Sequence, residues 1–222
     1  MPRKYRIVVV GKPHHIIQRG NRRQKVFFYP GDKTLYLKFL KEQVEKYDVD
    51  VWAYCLMDNH VHLVLVPKTI EGLAKAVAET NRYFACKINK RYGWKGYLWQ
   101  GRFISFVMDE IYLNRTLRYV ENNPVRAKIV EKPWDYLWSS ARKHVNKAED
   151  TLVKDCPAVQ LVGDWKDYLM RPEIDELLNE IRKRNLSGLP LGESQFIEKI
   201  AKDYGLKLEE LIPKPVGRPK KK

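Results

Sequence analysis

The sequence predicts an α+β fold, and three observations carry that reading. Residues 51–57 and 60–66 are two β-rich runs joined by the short polar turn Asp58–Asn59, the pattern of a hairpin. Long helical patterns lie on either side, at 32–47 and 70–92. The whole is strongly basic, with a formal net charge of +15 over 222 residues.

Taken in order, residues 5–10 (YRIVVV) and 14–18 (HHIIQ) read as short extended pieces, and 19–23 (RGNRR) as a basic turn. In the first helical pattern Leu35, Phe39, Leu40, Val44 and Tyr47 recur at helical spacing, and Asp32 can cap its start. Pro67 ends the hairpin. The second pattern places Leu73, Val77, Tyr83, Phe84 and Ile88 on one side, and Lys87, Lys90 and Arg91 suit a helix C-terminus. An aromatic, glycine-rich stretch follows at 93–106. A further helix is expected over 109–122, stopped by Pro124, and residues 133–140 (PWDYLWSS) open the last basic segment.

Composition then shifts. Residues 1–150 carry 28 basic against 15 acidic side chains, whereas 151–222 carry 14 against 12. This places a boundary near 150, with a domain over 1–148 and a small helical appendage over 149–211. That appendage has helical patterns at 173–184 and 194–204 and is a candidate DNA-binding unit. Residues 212–222 form a basic tail that cannot pack as helix or strand and is expected to be disordered.

The charge has two readings, attraction to a polyanion such as nucleic acid, or solubility. No apolar run approaches the ~20 residues of a membrane span, and the apolar stretch near the start is too short for a secretory segment. Three widely spaced cysteines, Cys55, Cys86 and Cys156, offer no C-x-x-C pair. These features suggest a cytoplasmic, nucleoid-associated protein.

Two local patterns carry chemistry. In His60-Val61-His62, side chains alternate along a strand, so both imidazoles share a face, about 7 Å apart at Cα. They are either a pair of metal ligands or two solvated or hydrogen-bonded histidines. On the expected helix Tyr119 and Asn123 stand four residues apart and share a face. A phenol can attack a phosphodiester. Equally, Tyr119 is one of 13 tyrosines, and Asn123-Pro124 can be a plain helix stop.

Together these segments resemble a known family. Residues 54–65 (YCLMDNHVHLVL) are similar to the histidine-hydrophobic-histidine motif of the single-tyrosine, IS200-like transposases, and residues 117–127 (LRYVENNPVRA) to their tyrosine helix. The likeness is strongest to the REP-associated tyrosine transposases. Further matches are 13–23 (PHHIIQRGNRR), 99–103 (WQGRF) and 136–140 (YLWSS), in the same order over about residues 5–145. The resemblance implies a ferredoxin-like domain with a central antiparallel sheet. It implies that Tyr119 is the nucleophile, and that His60, His62 and Asn123 hold Mg²⁺ or Mn²⁺. It implies cleavage and transfer of single-stranded or hairpin DNA through a 5′-phosphotyrosine link. Monomer and homodimer both stay open.

Candidate DNA contacts are Arg19, Arg22 and Arg23 in the basic turn, and Lys95, Trp99 and Arg102 in the aromatic stretch. There Trp94, Tyr97 and Phe103 are further stacking candidates, about half of the aromatics being assigned to the core. Arg218, in 216–221 (VGRPKK), resembles the core of an AT-hook. His14 and His15 could approach the site but are assigned to core or surface packing. Three other readings fit the same residues: a DNA- or RNA-binding module of the same fold without catalysis, an RNA-processing protein, and a replication-initiator nickase.

Overall fold

Runs rich in β-branched and aromatic residues give four strands. The computed structural model describes residues 6–172 and 174–212. It builds β1 (His14–Arg19), α1 (Pro30–Lys46), β2 (Val49–Met57), β3 (His60–Pro67), α2 (Gly72–Tyr92) and β4 (Ile104–Val107). The sheet order is β2-β3-β1-β4 and every pairing is antiparallel. This is the βαββαβ arrangement of a ferredoxin-like domain. Asp32 sits within the first turn of α1 and accepts from the backbone of Phe28 (2.9 Å) and Tyr29 (3.2 Å). These are helix-terminal donors that would otherwise lack partners.

One sheet face is apolar. Val61, Leu63 and Leu65 of β3 pack with Tyr36, Leu40, Phe84 and other residues of α1 and α2. The opposite face is covered by α3 (Glu110–Glu121) and by short helices from the rest of the chain. There Ala53, Cys55 and Val64 of the sheet meet Leu113, Leu117, Val120, Trp165 and Ile181.

Three local readings change. Residues 6–10 do not join the sheet. Ile7 and Val9 pack instead against Ile197 and Ile200 of α9 (Ser194–Asp203), the last helix described. The fourth strand, β4, lies inside the aromatic stretch and is too short to show a period. Pro124 does not stop the helical path at once, because a proline fits the first turn of a helix and begins a short α4 (Asn123–Arg126).

Beyond residue 150 the chain returns to the domain. Val153 bridges Val51 of β2, and Leu152 and Val153 join the core under α1. Three helices follow, α6 (Pro157–Val162), α7 (Trp165–Met170) and α8 (Asp175–Ser187), after the earlier α5 (Ala141–Asn146). Leu191 pairs with Met108 beside β4. The basic tail and Arg218 lie outside the described residues.

The packing of α3 is fixed by a fully buried carboxyl group, Glu121. Its Oε1 accepts from Ser140 Oγ (2.5 Å) and His144 Nδ1 (2.7 Å), and its Oε2 from Trp165 Nε1 (2.8 Å). Ser140 also donates its backbone N–H to Tyr54 O of β2 (3.0 Å). One side chain thus ties α3 to the sheet edge, α5 and α7. Replacing Glu121 with Ala leaves the buried His144 Nδ1 and Trp165 Nε1 donors unpaired, while Ser140 Oγ keeps Tyr54 O (3.4 Å), at a cost of about 3 kcal/mol or more. The melting temperature of Glu121→Ala is expected to fall by roughly 10 °C, with Glu121→Gln intermediate, as read by calorimetry. An unchanged value would show that the carboxyl group does not anchor the helix.

Candidate functional site

The face of the sheet under α3 carries a polar cluster. Because β1 and β3 are antiparallel, Arg19 stands opposite His60 and Ile17 opposite His62. Both imidazoles of His60-Val61-His62 fall on the α3 side, with ring centroids 4.9 Å apart. From α3, Tyr119 brings its ring to 5.7 Å from that of His62. The His15 ring of β1 lies edge to edge with that of His62, nearly parallel with centroids 5.0 Å apart, and 6.1 Å from that of Tyr119. The two sequence patterns, far apart in the chain, thus meet in space.

Hydrogen bonds orient each ring. His60 Nδ1 is 2.6 Å from Asn59 Oδ1, so it carries the proton and leaves Nε2 with the lone pair. Asn59 also donates to Arg23 O (3.1 Å), and its carbonyl accepts from Gly20 N (2.8 Å). The hairpin turn and the basic turn therefore hold each other. Gly20 is required there, because a Cβ would stand 2.2 Å from Gln24 O.

His62 Nδ1 and His15 Nε2 are 2.9 Å apart. Asn185, on α8, donates from Nδ2 to the Tyr119 hydroxyl (3.2 Å) and interacts with His15. The His15–His62 contact admits two tautomers, and in one of them His62 Nδ1–H donates to His15 Nε2; His15 Nδ1 and Asn185 Oδ1 are both buried without a hydrogen-bond partner. In that tautomer His62 also presents Nε2 as a free lone pair, the form a metal ligand needs.

Burial holds these rings neutral. It is the largest cause lowering His60 to about 4, with the Arg19 charge adding to it. Burial likewise takes His15 to about 3, and it holds His62 well below the usual range, helped by His60 and His15. Neutral imidazole is the ligating species.

Among the described residues no three or more His, Cys, Asp or Glu are grouped to hold a metal ion. A third donor must therefore be of another type, and an amide oxygen suits a hard cation. Asn123 meets that need only in part. Its Nδ2 donates to Tyr119 O (3.0 Å) and Val120 O (3.3 Å), capping α3, and its oxygen is the end left for another partner. The two neutral imidazoles on one face are of a chemistry that suits a divalent cation.

The expected DNA contacts separate into groups. Arg19 is half buried at the site itself, and its guanidinium feels the Tyr119 and His60 groups. Arg22, Arg23, Lys95 and Arg102 are exposed. Trp99 is not a stacking surface: it is 7% exposed, packs on Phe84 and Tyr36, and donates to Asn81 O (3.1 Å). His15, which the sequence left able to approach the site but assigned to packing, is the hydrogen-bond partner of His62. Two residues escaped sequence reading. Asn185 had no local signal at all. Arg126, whose guanidinium lies 4.3 Å from the Tyr119 ring centroid, sits one helical turn beyond Asn122 in the same quoted segment.

Comparison with known proteins adds the following. A family model described as IS200-like transposase matches residues 9–123. A solved REP-associated tyrosine transposase bound to a REP hairpin is similar to the chain, with a TM-score of 0.56 and 18% identity. The match covers 71% of this chain and 96% of that one. A candidate transposase from Deinococcus radiodurans also matches, with a TM-score of 0.37, 20% identity, and coverage of 54% and 96%. No curated protein matches. Among the described residues no helix is long and apolar enough to cross a membrane.

The buried histidines make stability depend on pH. In the unfolded chain they take up protons near pH 6.5. In the folded chain His60 and His14 do so only near 4, and His15 near 3. Between these values the unfolded state binds more protons, so stability falls as pH falls. The upper limit is about 1.4 kcal/mol per pH unit for each histidine. With chelator present, the melting temperature should drop steadily from pH 6.5 to 4.5, and less steeply in His60→Gln. A flat profile would contradict neutral burial.

Proposed function

The chain belongs to the IS200-like transposase family, and from that premise we propose that it cuts and rejoins single-stranded DNA through a tyrosine-linked intermediate. The observation that carries the reading is the meeting of Tyr119 with the His60–His62 pair on one sheet face. The solved relative that shares the fold is bound to a REP hairpin, which supports a hairpin or palindromic repeat as the substrate here. Cytoplasmic, nucleoid-associated action fits that substrate.

His60 and His62, through Nε2, and Asn123, through its amide oxygen, would hold Mg²⁺ or Mn²⁺. The bound ion would polarise a non-bridging oxygen of the scissile phosphate. The remaining work falls to the chain. Asn59 and His15 orient the two imidazoles. Asn185 donates to the Tyr119 hydroxyl, which fixes the direction of its lone pairs. The Arg126 guanidinium lies over the Tyr119 ring and holds it in place. Arg19 faces the same space and is placed to meet the phosphate, with Arg22, Arg23, Lys95 and Arg102 along the path of the strand.

In the reaction Tyr119 Oη attacks phosphorus and the bond to the 3′ oxygen breaks. The products are a 5′-phosphotyrosine and a free 3′-hydroxyl, which takes up one proton for the one the phenol gives up. A phosphodiester is exchanged for a phosphodiester, so a second 3′-hydroxyl can reverse the step without another energy source.

Labelled hairpin DNA with single-stranded flanks, incubated with Mg²⁺ or Mn²⁺, should yield a covalent adduct with the wild-type protein. Tyr119→Phe should reduce the adduct by roughly a thousandfold or more. An equal adduct from both proteins would move the nucleophile elsewhere. Tight binding without an adduct would favour a binding module of the same fold.

A further inference from the structure

On the opposite side of β1 lies a groove that the cluster under α3 does not use. Its volume is about 870 Å³, within the range of sites that hold one small ligand. Gln18 lines it and is 2% exposed. Its Nε2 donates to Gly101 O (3.1 Å), which fixes the amide and leaves Oε1 as the acceptor end. That Oε1 is buried and has no partner. An unpaired buried acceptor calls for a donor.

The other walls suit a flat, anionic ligand. Ala74, Ala78 and Ala85 line the groove from α2, and their short side chains leave room for a planar ring. Tyr97, at the rim, is 89% exposed. Arg6 and Arg102 also line the groove. Arg6 stacks on Phe103 at 3.7 Å and donates to Phe103 O (2.9 Å). Burial, and then the Arg102 charge, lower Arg6 to about 10. Two cations are therefore brought together, and no carboxylate is among the described lining residues.

We infer that this groove takes one unpaired nucleotide of the DNA strand, with a base N–H donating to Gln18 Oε1 and its phosphate meeting Arg6 and Arg102. The inference rests on the DNA-processing reading above and adds a place where sequence is read. Gln18 precedes Arg19, whose carbonyl accepts from Gln100 N (2.9 Å). The groove and the phosphate-facing arginine thus share a strand end. A nucleotide held there would set the register of the strand across the cluster around Tyr119.

Binding to single-stranded DNA, read by anisotropy with full-length Tyr119→Phe protein, separates this claim from the chemistry. Each nucleotide near the cleavage point is made abasic in turn. One position should cost about tenfold in affinity. Gln18→Leu should cost a similar factor on intact DNA and lose nothing further at that one abasic position. Ala78→Tyr, on an exposed turn of α2, should fill the groove and give the same pattern while leaving Gln18 in place. Losses that multiply independently at every position in both variants would overturn the groove, as would unchanged binding in both. If wild-type protein still forms its adduct, only the groove is lost. If no strand binds at all, the DNA reading falls with it.

Discussion

The site depends on the register between β1 and β3. A strand places alternate side chains on opposite faces, so a slip of one residue would exchange them. With Arg19 opposite His60, Val61, Leu63 and Leu65 enter the core under α1 and α2. His60 and His62 are left on the other face together with His15 and Arg19. The hydrophobic effect that holds the first face therefore also aims the imidazoles at the second. Burying three neutral histidines there is costly in acid, and hydrogen bonds to Asn59 and between His15 and His62 offset part of that cost at neutral pH.

The opposing half of the site needs its own anchor. Tyr119 reaches the sheet from α3, and the direction of α3 is set by Glu121, whose carboxyl group serves Ser140, His144 and Trp165. This gives a physical role to residues 136–140, which lie far from the chemistry. It also gives one to residues beyond 150. Trp165 helps hold the helix, and Asn185 reaches the phenol itself. The C-terminal helices share the core and the hydrogen bonds of the site, whatever else they do.

Much of this was legible in the sequence. The hairpin, α1, α2 and α3 followed from periodicity because each buries one face over several turns or alternations. The two chemistry-bearing patterns were visible as candidates, and the order of matching segments made them specific. What stayed hidden has identifiable causes. β4 is four residues long, too short to show alternation. Ile7 and Val9 are β-branched yet pack on α9, because burial there is satisfied by a helix and no strand edge is used. His15 was indistinguishable from a core histidine, since it is one by burial and becomes more only through His62. Trp99 is the type of residue that stacks on bases but packs in the core against Tyr36 and Phe84. Asn185 stands 66 residues from its partner Tyr119, and no local pattern announces such a contact.

We propose that His60 and His62 present two neutral imidazole nitrogens to one divalent ion, and electron spin-echo spectroscopy of bound Mn²⁺ reads this arrangement at the metal itself. Nitrogen couplings from two imidazoles are expected in the wild-type protein, reduced to one in His60→Ala and in His62→Ala. A spectrum of water-ligated Mn²⁺ without nitrogen coupling, unchanged by either substitution, would contradict it.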